Sequence, residues 1–147
     1  MIDAIREIER YWTGRILLAD PALGKLRHAE RSARAGFDLA YAREGRADLR
    51  LDDWSLRQEG DRYVAVVQGE DFALTLDLDR VQPPLLQGEG GYSRKGPDPT
   101  QASYYYSLPQ RRVSGEIVLD GRRRAVTGEA WFDHEWSSDL MDAEARG

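Results

Sequence analysis

Apolar and polar residues alternate along most of this chain with a period of two, the spacing of a half-buried β-strand. The clearest cases are Tyr63-Val64-Ala65-Val66-Val67 and Phe72-Ala73-Leu74-Thr75-Leu76-Asp77-Leu78, rich in β-branched, aromatic and alternating apolar residues. Glu59-Gly60-Asp61 and Gly69-Glu70-Asp71 supply the turns that bound them. Upstream, Gly14 to Asp20 and Lys25 to Ala33 flank Pro21-Ala22-Leu23-Gly24 and read as a hairpin, while Ala47 to Gln58 reads as a strand around Trp54. Only the start departs from this period. Ile5, Ile8 and Trp12 fall at helical spacing among charges, which predicts an amphipathic helix over residues 1–12.

The pattern breaks at Val81-Gln82-Pro83-Pro84, and Gln87 to Thr100 is so rich in glycine and proline that it predicts a crossing loop. Strand character resumes at Ala102 to Ser107, then in Arg112 to Leu119, and Asp120-Gly121 turns the chain onto Arg124 to Trp136. Three strands are too few to bury a sheet face unaided. The expected organisation is therefore a first β unit over residues 1–86, a crossing loop over 87–101, and the opening strands of a second unit over 102–147. The fold class is all-β and antiparallel.

Charge and composition remove several alternatives. Among 147 residues, 21 are basic and 26 acidic, a net charge of -5 that argues against a nucleic-acid partner needing a broad phosphate-neutralising face. The one basic run, Arg122-Arg123-Arg124, reads as the solvated start of a hairpin strand. Without cysteine there is neither a disulfide frame nor a thiolate metal site, and no His, Asp or Glu spacing assembles three ligands of the usual types. No metal and no cofactor is expected. No apolar run approaches the ~20 residues of a membrane-spanning helix, and the first residues are not those of a signal peptide.

One stretch combines acids with costly aromatics: Gly128-Glu129-Ala130-Trp131-Phe132-Asp133-His134-Glu135-Trp136-Ser137-Ser138. In an unbroken strand Glu129, Trp131, Asp133 and Glu135 share one face, and Ala130, Phe132, His134 and Trp136 the other. By the same rule Tyr104 and Tyr106 lie together, opposite Tyr105. An aspartic acid walled by Trp131 and tyrosines would be desolvated, which raises its pKa and lets it donate a proton near neutrality. A neighbouring carboxylate such as Glu135 could take a proton from water. Aromatic faces stabilise a cation by roughly 0.5 to 2 kcal/mol each. Acid, base and aromatic faces together suit protonation of an unactivated double bond followed by capture of water. The plainer alternative pairs Asp133 and Glu135 with arginines on a solvent-facing sheet, makes His134 a hydrogen-bonded core residue, and leaves Trp12 and Trp54 as core aromatics.

The ordered set Leu51-Asp52-Asp53-Trp54-Ser55, Leu86-Gln87-Gly88 with Gly91-Tyr92-Ser93-Arg94-Lys95-Gly96, Ala102 to Ser107, Val113-Ser114-Gly115-Glu116 and Gly128 to Ser138 resembles the AttH-like, carotenoid 1,2-hydratase-related family, also described as predicted secreted hydrolases. The resemblance implies two lipocalin-like β-barrel units and a lipophilic ligand or substrate. It also implies that this chain is an internal fragment, holding the later part of the first unit and the opening strands of the second. For the full-length protein it implies a periplasmic or secreted location and association with a membrane surface. In the hydratase branch the acid is matched by Asp133, which would protonate the alkene and help activate water, with Trp131 and one of Tyr104 to Tyr106 stabilising the cation; the residues themselves add Glu135 as the second catalytic carboxylate, with Trp131, Tyr104 and Tyr106 as the substrate-binding aromatics. The carotenoid enzymes carry tyrosine where Trp131 stands and asparagine where Glu135 stands, so the resemblance bears on a pocket more than on a carotenoid. No Gly-x-Ser-x-Gly elbow supports the hydrolase description. A non-catalytic protein that binds or carries an apolar ligand is the alternative function.

Overall fold

A computed structural model describes residues 11–22, 24–43 and 45–137. Every element in them is a strand: β1 (Tyr11–Asp20), β2 (Lys25–Arg34), β3 (Ala40–Ala42), β4 (Asp48–Leu51), β5 (Trp54–Glu59), β6 (Arg62–Gln68), β7 (Phe72–Asp79), β8 (Leu85–Leu86), β9 (Tyr92–Arg94), β10 (Ala102–Leu119) and β11 (Arg122–Trp136). The helix expected over residues 1–12 falls mostly on residues 1–10, outside the described part. Tyr11 and Trp12 themselves open β1, so there the period of two prevails over the helical spacing. The chain forms two compact units. The first runs to Asp79 and adds Val113–Gly128, and the second holds Arg80–Arg112 and the chain from Glu129 onward.

In the first unit β1 and β2 pair as an antiparallel hairpin with Tyr11 opposite Arg34 and Asp20 opposite Lys25. The other strands lie in the order β11-β10-β7-β6-β5-β4-β3, a meander in which neighbours in sequence are mostly neighbours in space. The single strand expected over Ala47 to Gln58 is two strands, because Asp52 takes a left-handed φ of 56° and reverses the chain so that Leu51 faces Trp54. Arg31 fixes that turn by donating to Asp53 Oδ1 at 2.8 Å, and its guanidinium lies 5.3 Å from the centre of the Trp54 ring.

The hairpin and the sheet form two layers around Ala29, Trp54 and Phe72, with Ile16, Leu18, Val67, Leu74 and Leu119 against them. Layer contact is close at Gly14 of β1, where a Cβ would stand 2.9 Å from Leu51 Cδ2 and 3.1 Å from the Trp54 ring. Trp54 also satisfies its indole N–H, donating to the Gln68 carbonyl at 2.8 Å, so the ring is buried without an orphaned donor. Arg27 of β2 ties the hairpin to two turns of the sheet, donating to Asp120 at 2.8 and 2.7 Å and to Asp71. The paired carboxylates, Asp120 first, hold the Arg27 guanidinium well above its ordinary value.

In the second unit β10 is the middle strand. Leu85 and Leu86 of β8 face Ser107 and Tyr106, β9 covers Ala102 to Tyr104, and β11 lies on the other side. The glycine- and proline-rich stretch thus contains a strand of its own, and the turn after it is closed by Asp98, whose Oδ1 accepts from the Thr100 amide and hydroxyl at 2.8 Å each. The two strands expected at 102–107 and 112–119 are one, running through Leu108-Pro109-Gln110 with Gln110 at φ 51°. A left-handed residue beside a proline marks a bulge rather than a strand end.

Candidate functional site

The site of interest is the sheet formed in the second unit by the first half of β10 and the last residues of β11. Its residues sort by strand alternation onto two faces. One face carries Trp131, Asp133 and Glu135 from β11 with Ser103, Tyr105 and Ser107 from β10. The other carries Phe132, His134 and Trp136 with Tyr104 and Tyr106.

Asp133 is at the centre of the first face. Ser107 Oγ donates to its Oδ1 at 2.5 Å and Trp131 Nε1 donates to the same oxygen at 2.8 Å. Ser107 is fully buried, and Gln87 Nε2 donates to its hydroxyl at 3.0 Å, so the serine proton has one acceptor left and points at the carboxylate. These donors, Ser107 first, then Trp131 and with a further contribution from Tyr105, hold the Asp133 carboxyl below its ordinary value. The expected direction was the opposite. Asp133 is exposed, so desolvation is outweighed by hydrogen bonds to the charged form.

Glu135 has a different environment on the same face. Lys95 Nζ lies 2.6 Å from its Oε1, and Ser103 Oγ donates to that oxygen at 2.5 Å. Lys95 first and Ser103 second hold the Glu135 carboxyl low, against the repulsion of Asp133. The Lys95 ammonium is also 5.6 Å from the centre of the Tyr105 ring. The plain alternative of arginine pairing is thus replaced by a lysine at Glu135 and by neutral donors at Asp133.

The opposite face is aromatic. Tyr104 and Trp136 stack with centroids 5.5 Å apart, and His134 lies 4.9 Å from Trp136 and 5.4 Å from Tyr106. Tyr92 meets Tyr104 edge-on at 5.8 Å. His134 is exposed among rings rather than buried in a core. The five residues named from the sequence are therefore divided: Trp131, Asp133 and Glu135 are brought together, whereas Tyr104 and Tyr106 stand on the far side of the sheet. Tyr105 is the tyrosine beside the acids. Ser103, Ser107, Gln87 and Lys95 were not singled out from the sequence, although alternation alone puts Ser103 and Ser107 on the face of Tyr105. Among the described residues no group of three or more His, Asp or Glu could hold a metal ion.

The described residues are antiparallel strands throughout, an all-β protein of the class the alternation predicts, and its last two strands carry acids on one face and aromatics on the other. The chain belongs to the AttH-like family, whose profile matches residues 5–147. It is similar to a solved structure of a candidate AttH from Nitrosomonas europaea, with 53% identity and a TM-score of 0.83 over 90% of this chain. The chain spans 42% of the length of that relative. No curated protein matches.

Proposed function

We propose that the second unit contributes a wall of a binding site for a lipophilic molecule carrying a polar group, with Asp133 as a fixed hydrogen-bond acceptor and Trp131 as the apolar contact beside it. The observation that supports this reading best is the donor set of Asp133. A carboxylate that receives Ser107 and Trp131 on one oxygen is held ionised and oriented, which suits recognition of a hydroxyl or other donor on a ligand. Trp131, 57% exposed, offers the large apolar surface such a ligand needs. Tyr104 and Tyr106 belong to the opposite face, and any ligand they touch is a different part of the surface. Among the described residues no helix is long and apolar enough to cross a membrane.

A second reading keeps Asp133 as a proton donor in the hydration of a C=C bond, with Glu135 as the base. Its support is the proximity of Trp131 and Tyr105 to this carboxyl; both meet it through their N–H or O–H, so a developing cation would have to lie over their ring faces to be stabilised. It also requires a bound lipophile to dry the site enough to reverse the bias toward the ionised form.

The test is direct. Titration with a long-chain isoprenoid alcohol, followed by tryptophan fluorescence, should show saturable quenching that Trp131→Ala removes. Quenching that persists in Trp131→Ala, or none in the parent chain, would overturn the binding site. Product formation by the parent chain that Asp133→Asn abolishes would favour the catalytic reading over simple binding.

A further inference from the structure

We propose that the first unit holds a second, separate site: a small cavity at the end of β3, β4 and β5 that binds an oxyanion of the phosphate type. The cavity is about 310 Å³, near the lower end of the ~300 to 1,000 Å³ range of small-molecule pockets. Its lining includes Tyr41, Arg43, Arg46, Asp48, Arg57 and Glu59.

The charge count there does not balance. Asp48 is buried, and its Oδ2 alone meets both Arg43 Nη1 at 3.0 Å and Arg46 Nη2 at 3.5 Å. One carboxylate neutralises one of those guanidiniums. Arg57 stands directly opposite Asp48 on the neighbouring strand, which puts its side chain on the same face, and it makes no ion pair among the described residues. Glu59 does not offset it, because its carboxylate is engaged by Arg62 at 2.8 Å. Three guanidiniums thus surround the cavity, and among the described residues the one lining carboxylate not engaged elsewhere, Asp48, is shared by two of them.

The arrangement is also held in place. Arg43 lies 5.1 Å from the centre of the Tyr41 ring, and its amide donates to the Asp48 carbonyl at 3.0 Å. Gln58 bridges the loop that carries Arg46, with its amide donating to the Ala47 carbonyl at 2.6 Å and its Oε1 accepting from the Ala47 amide at 3.2 Å. Guanidiniums with fixed planes match the paired oxygens of a phosphate better than ammonium groups do. Asp48 thus acts as a positioning residue, keeping two arginines at the rim while Arg57 completes the cradle.

The experiment is a titration of the isotopically labelled chain with inorganic phosphate, and in a parallel arm with methyl phosphate, read by the backbone amides of Ala47, Asp48 and Arg57. Saturating shifts at those amides are expected. Tighter binding in the methyl phosphate arm would assign the site to a monoester, and equal binding to the free ion. Arg57 is exposed, so Arg57→Gln should keep a dispersed spectrum while weakening binding about tenfold, the loss of one charge-assisted hydrogen bond. Shifts that never saturate, or that are unchanged in Arg57→Gln, would overturn the site. Binding that emerges only in Glu44→Gln would overturn it as well, since the acid next to Arg43 in the sequence would then be the anion the arginines hold.

Discussion

The first unit buries the rings of Trp54, Tyr63 and Phe72, whereas no aromatic ring of the second unit is buried among the described residues. In the first, Trp54 and Phe72 are buried beneath the β1–β2 hairpin, and the charged residues around them serve as clamps across turns. In the second, Tyr104, Trp131 and Trp136 are about half exposed, and the side chains taken out of water include Ser103, Ser107 and Arg111. Burying a small hydroxyl costs free energy unless it is hydrogen-bonded, and both serines spend theirs on acids of the neighbouring strand. Three large rings are thus packed into a core in the first unit, while Tyr104, Trp131 and Trp136 of the second are left available for contact. Of those uncovered rings, Trp131 is the one that the proposed ligand would meet.

The contrast predicts unequal responses to truncation. Phe72→Ala should cost about 3 to 5 kcal/mol of stability, the usual loss for a buried phenyl ring, measurable by denaturant unfolding. A loss below about 1 kcal/mol would mean that the first unit is not packed as described. Next in size, Ser107→Ala should raise the Asp133 carboxyl toward its ordinary value, because it removes the first of its stabilising donors. Titration of the side-chain carboxyl resonance would check this, and no upward movement would contradict the role given to the serine. Lys95→Ala should raise Glu135 in the same way and move Asp133 much less.

Dependence on pH follows with a definite sign. Asp53, Asp120, Asp133 and Glu135 all have folded-state values below their ordinary ones. Each contributes stability that is complete above the ordinary carboxylate value and lost as pH falls through the lower folded value. Thermal stability should therefore fall on acidification below that range, with little change between pH 6 and 8 from these groups. The smallest effect is expected from Trp131→Ala, which should change stability by no more than about 0.5 kcal/mol, as is usual for exposed positions, while removing ligand-induced quenching.

Much of this was legible in the alternation. The antiparallel all-β class, the β6–β7 hairpin and the shared face of Trp131, Asp133 and Glu135 all follow from a period of two. What alternation could not supply was the pairing between strands. The turn at Asp120-Gly121 has φ values of 49° and 74°, as in a two-residue hairpin, and counting back from it sets Ser107 opposite His134. The contacts instead join Ser107 to Asp133 and Tyr106 to His134, an offset of one residue that a bulge in β10 supplies. A one-residue offset exchanges the faces, which is why Tyr105 replaces Tyr104 and Tyr106 beside the acids. The ionisation of Asp133 was illegible for a related reason: its donors are Trp131 two residues away and Ser107 from the other strand, and only the register brings them together.

The protonation state of Asp133 separates the fixed acceptor from the proton donor most directly. Its carboxyl carbon, followed by NMR across an acid titration of the ligand-free chain, should report a midpoint below that of an ordinary aspartate, and Ser107→Ala should move it upward. A midpoint above the ordinary value would contradict the fixed acceptor proposed here and restore the proton donor.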